Sequence, residues 1–135
     1  MKVVLDTNVL VSALIKAGKP RELFEKLSKG KHLVLSKAIL GEFLEVVEDP
    51  RVAMYTSEQE ITLFLSILGN AATIVRVKSR FKAVKEDPDD DMIVRAAKDG
   101  KADYIVSGDK HLLALKEFKG IKILTVDEML NVLKS

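Results

Sequence analysis

Short apolar runs alternate along the chain with longer stretches in which apolar positions recur every third or fourth residue. The first pattern predicts buried strands and the second predicts helices with one buried face. Val3-Val4-Leu5 reads as the first strand and ends at Asp6-Thr7-Asn8; Val9, Leu10, Ala13 and Leu14 then predict a helix that Gly18 stops. Pro20 opens a second helix through Leu23, Phe24 and Leu27 to Gly30. His32 to Leu35 is the next strand, and Ser36 is placed to cap a helix running to about Glu48. Asp49-Pro50 starts a short helical piece. Ser57 to Glu60 is a capping box for a helix carrying Ile61, Phe64, Leu65 and Leu68, which Gly69-Asn70 is expected to end. Ala72 to Val77 is strand-like and leads through a basic loop to Asp87-Pro88, where a helix with Met92, Ile93, Ala96 and Ala97 begins. Tyr104-Ile105-Val106 is a strand, a helix carries Leu112, Leu113 and Leu115, Ile121 to Leu124 is the last strand, and Thr125 to Glu128 caps a final helix.

This alternation over the whole length predicts one domain, residues 1–135, built as a three-layer α/β/α sandwich around a mostly parallel central sheet. At 135 residues, the chain can bury about two thirds of its unfolded surface without metals or disulfides. It has no cysteine, which excludes disulfides, thiolate metal sites and cysteine nucleophiles, and fits a reducing cytoplasm. Lys and Arg total 22 against 20 Asp and Glu, so the net charge of +2 announces no polyanion and any nucleic-acid footprint must be local. The early apolar run from Val9 to Ile15 falls short of a membrane span of about 20 residues. With only Lys2 before it, there is no signal-peptide pattern, and no membrane association is expected.

In an open α/β sheet, ligands bind where the strands end, because the loops and helix N-termini converge there. Four carboxylates have that address: Asp6 after the first strand, Glu42 in the helix after the second, Asp90 in the run Asp87-Pro88-Asp89-Asp90-Asp91, and Asp109 after the fourth. Each has an ordinary alternative. Asp6 and Asp109 can be turn or cap residues, Asp87 and Asp89 suit a helix start, and Glu42 can cover apolar surface with its stem. Glu42 lies at the edge of the apolar arc beside Ile39 and Val46, and Gly41 next to it would be explained by close backbone approach. Asp90 borders the buried stripe of its helix and Asp91 is expected to turn away by one helical step, which favours Asp90. Together, four acids at one edge repel one another unless protonated or bound to a cation, and an all-oxygen donor set selects Mg²⁺ or Mn²⁺.

The stretches Val4-Leu5-Asp6-Thr7-Asn8-Val9-Leu10, Ser36 to Glu42, Asp87 to Ile93 and Ile105-Val106-Ser107-Gly108-Asp109 together resemble the PIN domain, in particular the PIN-type toxin components of toxin–antitoxin systems, the VapC-like ribonucleases. The resemblance covers essentially the whole chain. It implies a Mg²⁺- or Mn²⁺-dependent endoribonuclease with Asp6, Glu42, Asp90 and Asp109 as catalytic and metal-binding acids, supported by Asn8, Ser107 and the adjacent Asp91. It also implies an RNA substrate, an antitoxin protein as partner, a homodimer and a cytoplasmic location.

Arg76, Lys78 and Arg80 lead toward the acidic run and are candidate RNA contacts, the alternative being a charged, solvated edge strand. Phe81 is the only ring in this run, so base stacking is not indicated. One other class is open and a second is argued against. A catalytically weak PIN module could bind metal or RNA and act through partners; a phosphate-accepting receiver domain would carry paired acids after the first strand, where this chain has Thr7 and Asn8.

Overall fold

The computed structural model describes residues 1–80 and 88–134, with residues 88–90 described by their backbone. The chain runs β1 (Val3–Leu5), α1 (Thr7–Ile15), α2 (Lys19–Lys29), β2 (Leu33–Ser36), α3 (Lys37–Glu48), α4 (Pro50–Ala53), α5 (Glu58–Ala71), β3 (Thr73–Val75), α6 (Pro88–Asp99), β4 (Tyr104–Val106), α7 (Lys110–Leu115), β5 (Glu117–Phe118), β6 (Ile121–Leu124) and α8 (Val126–Lys134). The described strands form one six-stranded sheet in the order β3-β2-β1-β4-β6-β5, parallel except for β5.

Every residue of β1 and β2 is buried, as befits central parallel strands covered on both faces. On one side α1 packs against α2, α3 and α5, and α2 against α8; α6 lies against β1, β2 and β4. Phe24, Phe43 and Phe64 stack between the helices, with ring centroids 4.3 Å apart for Phe24 and Phe64 and 5.4 Å for Phe43 and Phe64.

Successive connections move from β1 to β2 to β3 toward one edge of the sheet, whereas β4 lies on the other side of β1. The order therefore reverses between β1 and β4, and the crevice beyond their C-terminal ends is the expected ligand site.

The predicted caps are present. Ser36 Oγ accepts from Ile39 N at 3.2 Å, Ser57 Oγ from Glu60 N at 3.1 Å, and Thr125 and Glu128 bond reciprocally at 3.2 and 2.9 Å. Two expectations are corrected. α5 continues through Gly69 and Asn70 to Ala71, because packing of Phe64 and Leu68 outweighs the local stop signal. β5 is an unforeseen edge strand, two residues long and antiparallel to β6 through a turn at Lys119-Gly120.

Candidate active site

Asp6 and Ser107 follow β1 and β4, one on each side of the switch point, and the two strands are in register up to Leu5↔Val106. The Asp6 amide donates to Val106 O at 2.9 Å, which fixes the two strand ends together. Ser107 Oγ, fully buried, donates to Asp6 Oδ2 at 2.6 Å and accepts from the Asp109 amide at 2.9 Å. One hydroxyl thus links two carboxylate residues.

Both acids are also caps. The Asp6 side chain accepts from the Asn8 amide at 3.5 Å at the start of α1; Asp109 Oδ1 accepts from His111 N at 2.8 Å and Leu112 N at 3.4 Å at the start of α7. Cap and candidate ligand are therefore not exclusive readings of these residues. Burial pushes the Asp6 carboxyl above its ordinary value and the neighbouring Asp109 charge adds to the rise, against the lowering effect of the Ser107 and backbone hydrogen bonds.

Thr7, the first residue of α1, is fully buried and its Oγ1 has no hydrogen-bond partner among the described residues. An oxygen left alone at this depth is costly unless a ligand or water takes it up. Sequence reasoning passed over Thr7 because its hydroxyl could equally have bonded to its own helix. Asn8, whose side chain is exposed, and Ser107 border a cleft of about 400 Å³ with Ser12, Gly108 and Thr125.

Glu42 is half-buried on α3, the helix capped by Ser36 at the C-terminal end of β2. Gly41 has open space around it rather than a close backbone neighbour, which corrects the reason expected for that glycine. Asp91 is only 3% exposed, so it faces the interior with Ile93 and Val94 instead of turning away. The wheel misplaced it because at the start of α6 both neighbouring positions border the apolar arc. The side chain of Asp90 lies outside the described residues, as do the side chains of Asp87 to Asp89. Among the described residues, no three acidic or histidine side chains converge as a metal cage.

The basic run starts at the same edge of the sheet and leaves it. Arg76, Lys78 and Arg80 are exposed, and Arg76 borders a cleft of about 590 Å³ with Ser36, Lys37 and Val75 at the C-terminal edge. Beyond it the chain is fastened to the far end of α6: Asp99 accepts from Lys78 N at 2.6 Å, Ser79 N at 2.8 Å and Ser79 Oγ at 2.6 Å. At 1.5 Å rise per residue, Asp99 is about 12 Å along α6 from Asp91. Lys78 and Ser79 are held there, away from the acids.

A mostly parallel, doubly wound sheet with linked carboxylate residues at its switch point defines an acid-centred α/β domain. The PIN domain model matches residues 2–111, and the chain belongs to that family. Uncharacterized protein MJ1680 of Methanocaldococcus jannaschii is 32% identical over 127 residues, covering 91% of this chain and 81% of that protein. In structure the chain resembles VapBC2 from Rickettsia felis, solved bound to a DNA fragment from its promoter, with a TM-score of 0.63, 17% identity, and coverage of 93% of this chain and 98% of the matched one. That second likeness is one of fold. No helix among the described residues is long and apolar enough to cross a membrane.

Proposed function

We propose that this PIN domain is a divalent-metal-dependent endoribonuclease, the toxin member of a toxin–antitoxin pair, acting in the cytoplasm. The observation that carries the reading is the Asp6–Ser107–Asp109 chain: a buried carboxyl whose pKa is raised by burial and by a second acid is the kind of group a cation relieves. Thr7, next in sequence to Asp6, carries a buried Oγ1 without a partner among the described residues, which supports a further polar group in this region. Asp6, Glu42, Asp90 and Asp109 would hold the ion, and hard oxygen donors suit Mg²⁺ or Mn²⁺. When bound, such an ion supplies a Lewis acid for the phosphodiester and lowers the pKa of the attacking water.

The chain's own residues supply position. Ser107 orients the Asp6 carboxylate from one side while the α1 N-terminus holds it from the other. Asp109 is held by two amides of α7, which leaves its carboxylate little freedom to swing. Exposed Arg76 at the same edge can meet a phosphate.

An antitoxin-like partner is supported by an apolar hollow of about 250 Å³ between α1, α2 and α5, lined by Leu14, Phe24, Phe64 and Ile67, with Leu63 63% exposed at its rim. Covering that face would remove it from water. Pairing of two copies of the chain belongs to the same proposal. A second reading, a weakly catalytic module acting through partners, is separated from the first by turnover.

The purified protein should cut single-stranded RNA with Mn²⁺ and stop in excess EDTA, and Asp6→Asn should lower the rate at least about 100-fold. Asp90→Asn is expected to cost more activity than Asp91→Asn. Cleavage that persists in chelator would refute the metal-dependent reading; metal-tight binding without turnover would favour the module.

A further inference from the structure

The opposite edge of the sheet is lysine-rich. Lys29 and Lys31 lie before β2, Lys2 before β1, Lys101 before β4, and Lys122 near the start of β6, all of them exposed. With strands about 4.8 Å apart, β2, β1, β4 and β6 spread these cations over roughly 14 Å. Among the described residues none of the five has a carboxylate within ion-pair distance. The neighbouring acids are Asp103, which is engaged by the Lys2 amide at 2.9 Å, and Glu117, which lies opposite Lys122 across the β5–β6 pair without forming an ion pair.

Two of these lysines also sit where lysine is a poor choice. α2 and α6 end alike, in Gly30-Lys31 and Gly100-Lys101, closed by the bonds His32 N to Leu27 O at 3.0 Å and Ala102 N to Ala97 O at 2.8 Å. In both, the residue with positive φ is the lysine, at 55° and 54°. Glycine or asparagine is usual there, since a Cβ crowds the backbone in this region. Every non-glycine residue with positive φ among the described residues is a lysine: Lys31, Lys101, Lys116 and Lys119. A lysine at a position that disfavours it is an outlier that points to a use for the charge.

The basic run connects this edge to the acids. Arg76 leaves β3 at the acidic edge, and two residues later the chain is fastened to Asp99, two residues from Lys101. We propose that these cations, from Arg76, Lys78 and Arg80 to the five lysines of the opposite edge, form a track for the phosphate backbone of an RNA longer than the cleavage site itself needs. The proposal rests on the ribonuclease reading for its choice of polymer. Phe81 is the only ring in the basic run, too few for a series of stacked bases, so the track holds phosphates without reading bases.

The test is binding without cleavage, in EDTA, of a labelled single-stranded RNA of about 30 nucleotides and of a fragment of about 5, across a salt series. The variant Lys2→Gln, Lys29→Gln, Lys31→Gly, Lys101→Gly, Lys122→Gln removes five charges while easing both strained positions. If the five cations meet phosphates, the slope of log affinity against log salt should flatten by up to about 3.5 for the long RNA. The fragment should bind both proteins equally. Lys31→Arg with Lys101→Arg should keep the wild-type slope, which separates charge from backbone effects. An unchanged slope for the long RNA overturns the track, and so does polyglutamate binding that the variant loses while RNA binding stays intact, which would assign the surface to an acidic protein. Because no metal or turnover enters, failure of the nuclease reading would show in the cleavage assay and failure of the track here.

Discussion

The two edges of the sheet solve opposite problems. At the C-terminal edge the polar side chains are anchored: Asp6, Ser107 and Asp109 hold one another and two helix starts at 2.6 to 3.5 Å. At the N-terminal edge the backbone is anchored and the side chains are exposed, with Lys31 and Lys101 held at positive φ and, among the described residues, no acid paired to their charge. Chemistry that must be performed at fixed distances needs the first arrangement. Holding a flexible polyanion needs only the second.

The sharpest way to break the lysine edge is Gly100→Ala. A Cβ there would meet Val34 Cγ1 at 2.7 Å, Ala96 O at 2.9 Å and Val75 Cγ2 at 3.0 Å, so α6 would have to shift off the sheet. The expected loss is about 3 kcal/mol, read as a fall of roughly 10 °C in melting temperature. Gly41→Ala, with open space around it, should instead gain about 0.5–1 kcal/mol.

At the acid edge, Ser107→Ala should cost about 2 kcal/mol, because it strips a buried donor from Asp6 and an acceptor from the Asp109 amide. It should also change the pH dependence. The Asp6 pKa is raised in the folded state, so the stability it contributes is complete below the ordinary value of 3.8 and is lost as pH rises through the folded value. The Ser107 bond lowers that folded value, so the variant should lose this stability at higher pH than wild type does, in metal-free melts across weakly acidic buffers. A smaller effect than that of Ser107→Ala is expected for Lys101→Gly, a gain of about 1 kcal/mol from relief of the left-handed backbone. A loss instead would mean that Lys101 is held by contacts rather than by strain.

Much of this was legible from the chain alone because it is local. Ser36, Ser57 and Thr125 announce their helices, and Val3-Val4-Leu5 announces a buried strand ending in an acid. What could not be read depends on distant partners. The Ser107 to Asp6 bond spans 101 residues and relies on strand order; Asp99 holds Ser79 across 20 residues with no pattern to signal it. Asp91 was turned the wrong way because one helical step decides between core and solvent, and Glu117-Phe118 is too short a strand to show a period. The third acid of the constellation, Asp90, falls in the stretch whose side chains lie outside the described residues.

The central claim is that the acid edge is a cation site, and melting without substrate tests it most directly. Wild type should rise in melting temperature with Mn²⁺, since a ligand at 100 times its dissociation constant adds about 2.7 kcal/mol. Asp6→Asn should be equally or more stable than wild type in EDTA at neutral pH, having lost a buried charge, and should lose most of the Mn²⁺ response. If Asp6→Asn is less stable in EDTA and gains from Mn²⁺ as wild type does, Asp6 is a helix cap and the cation site is elsewhere.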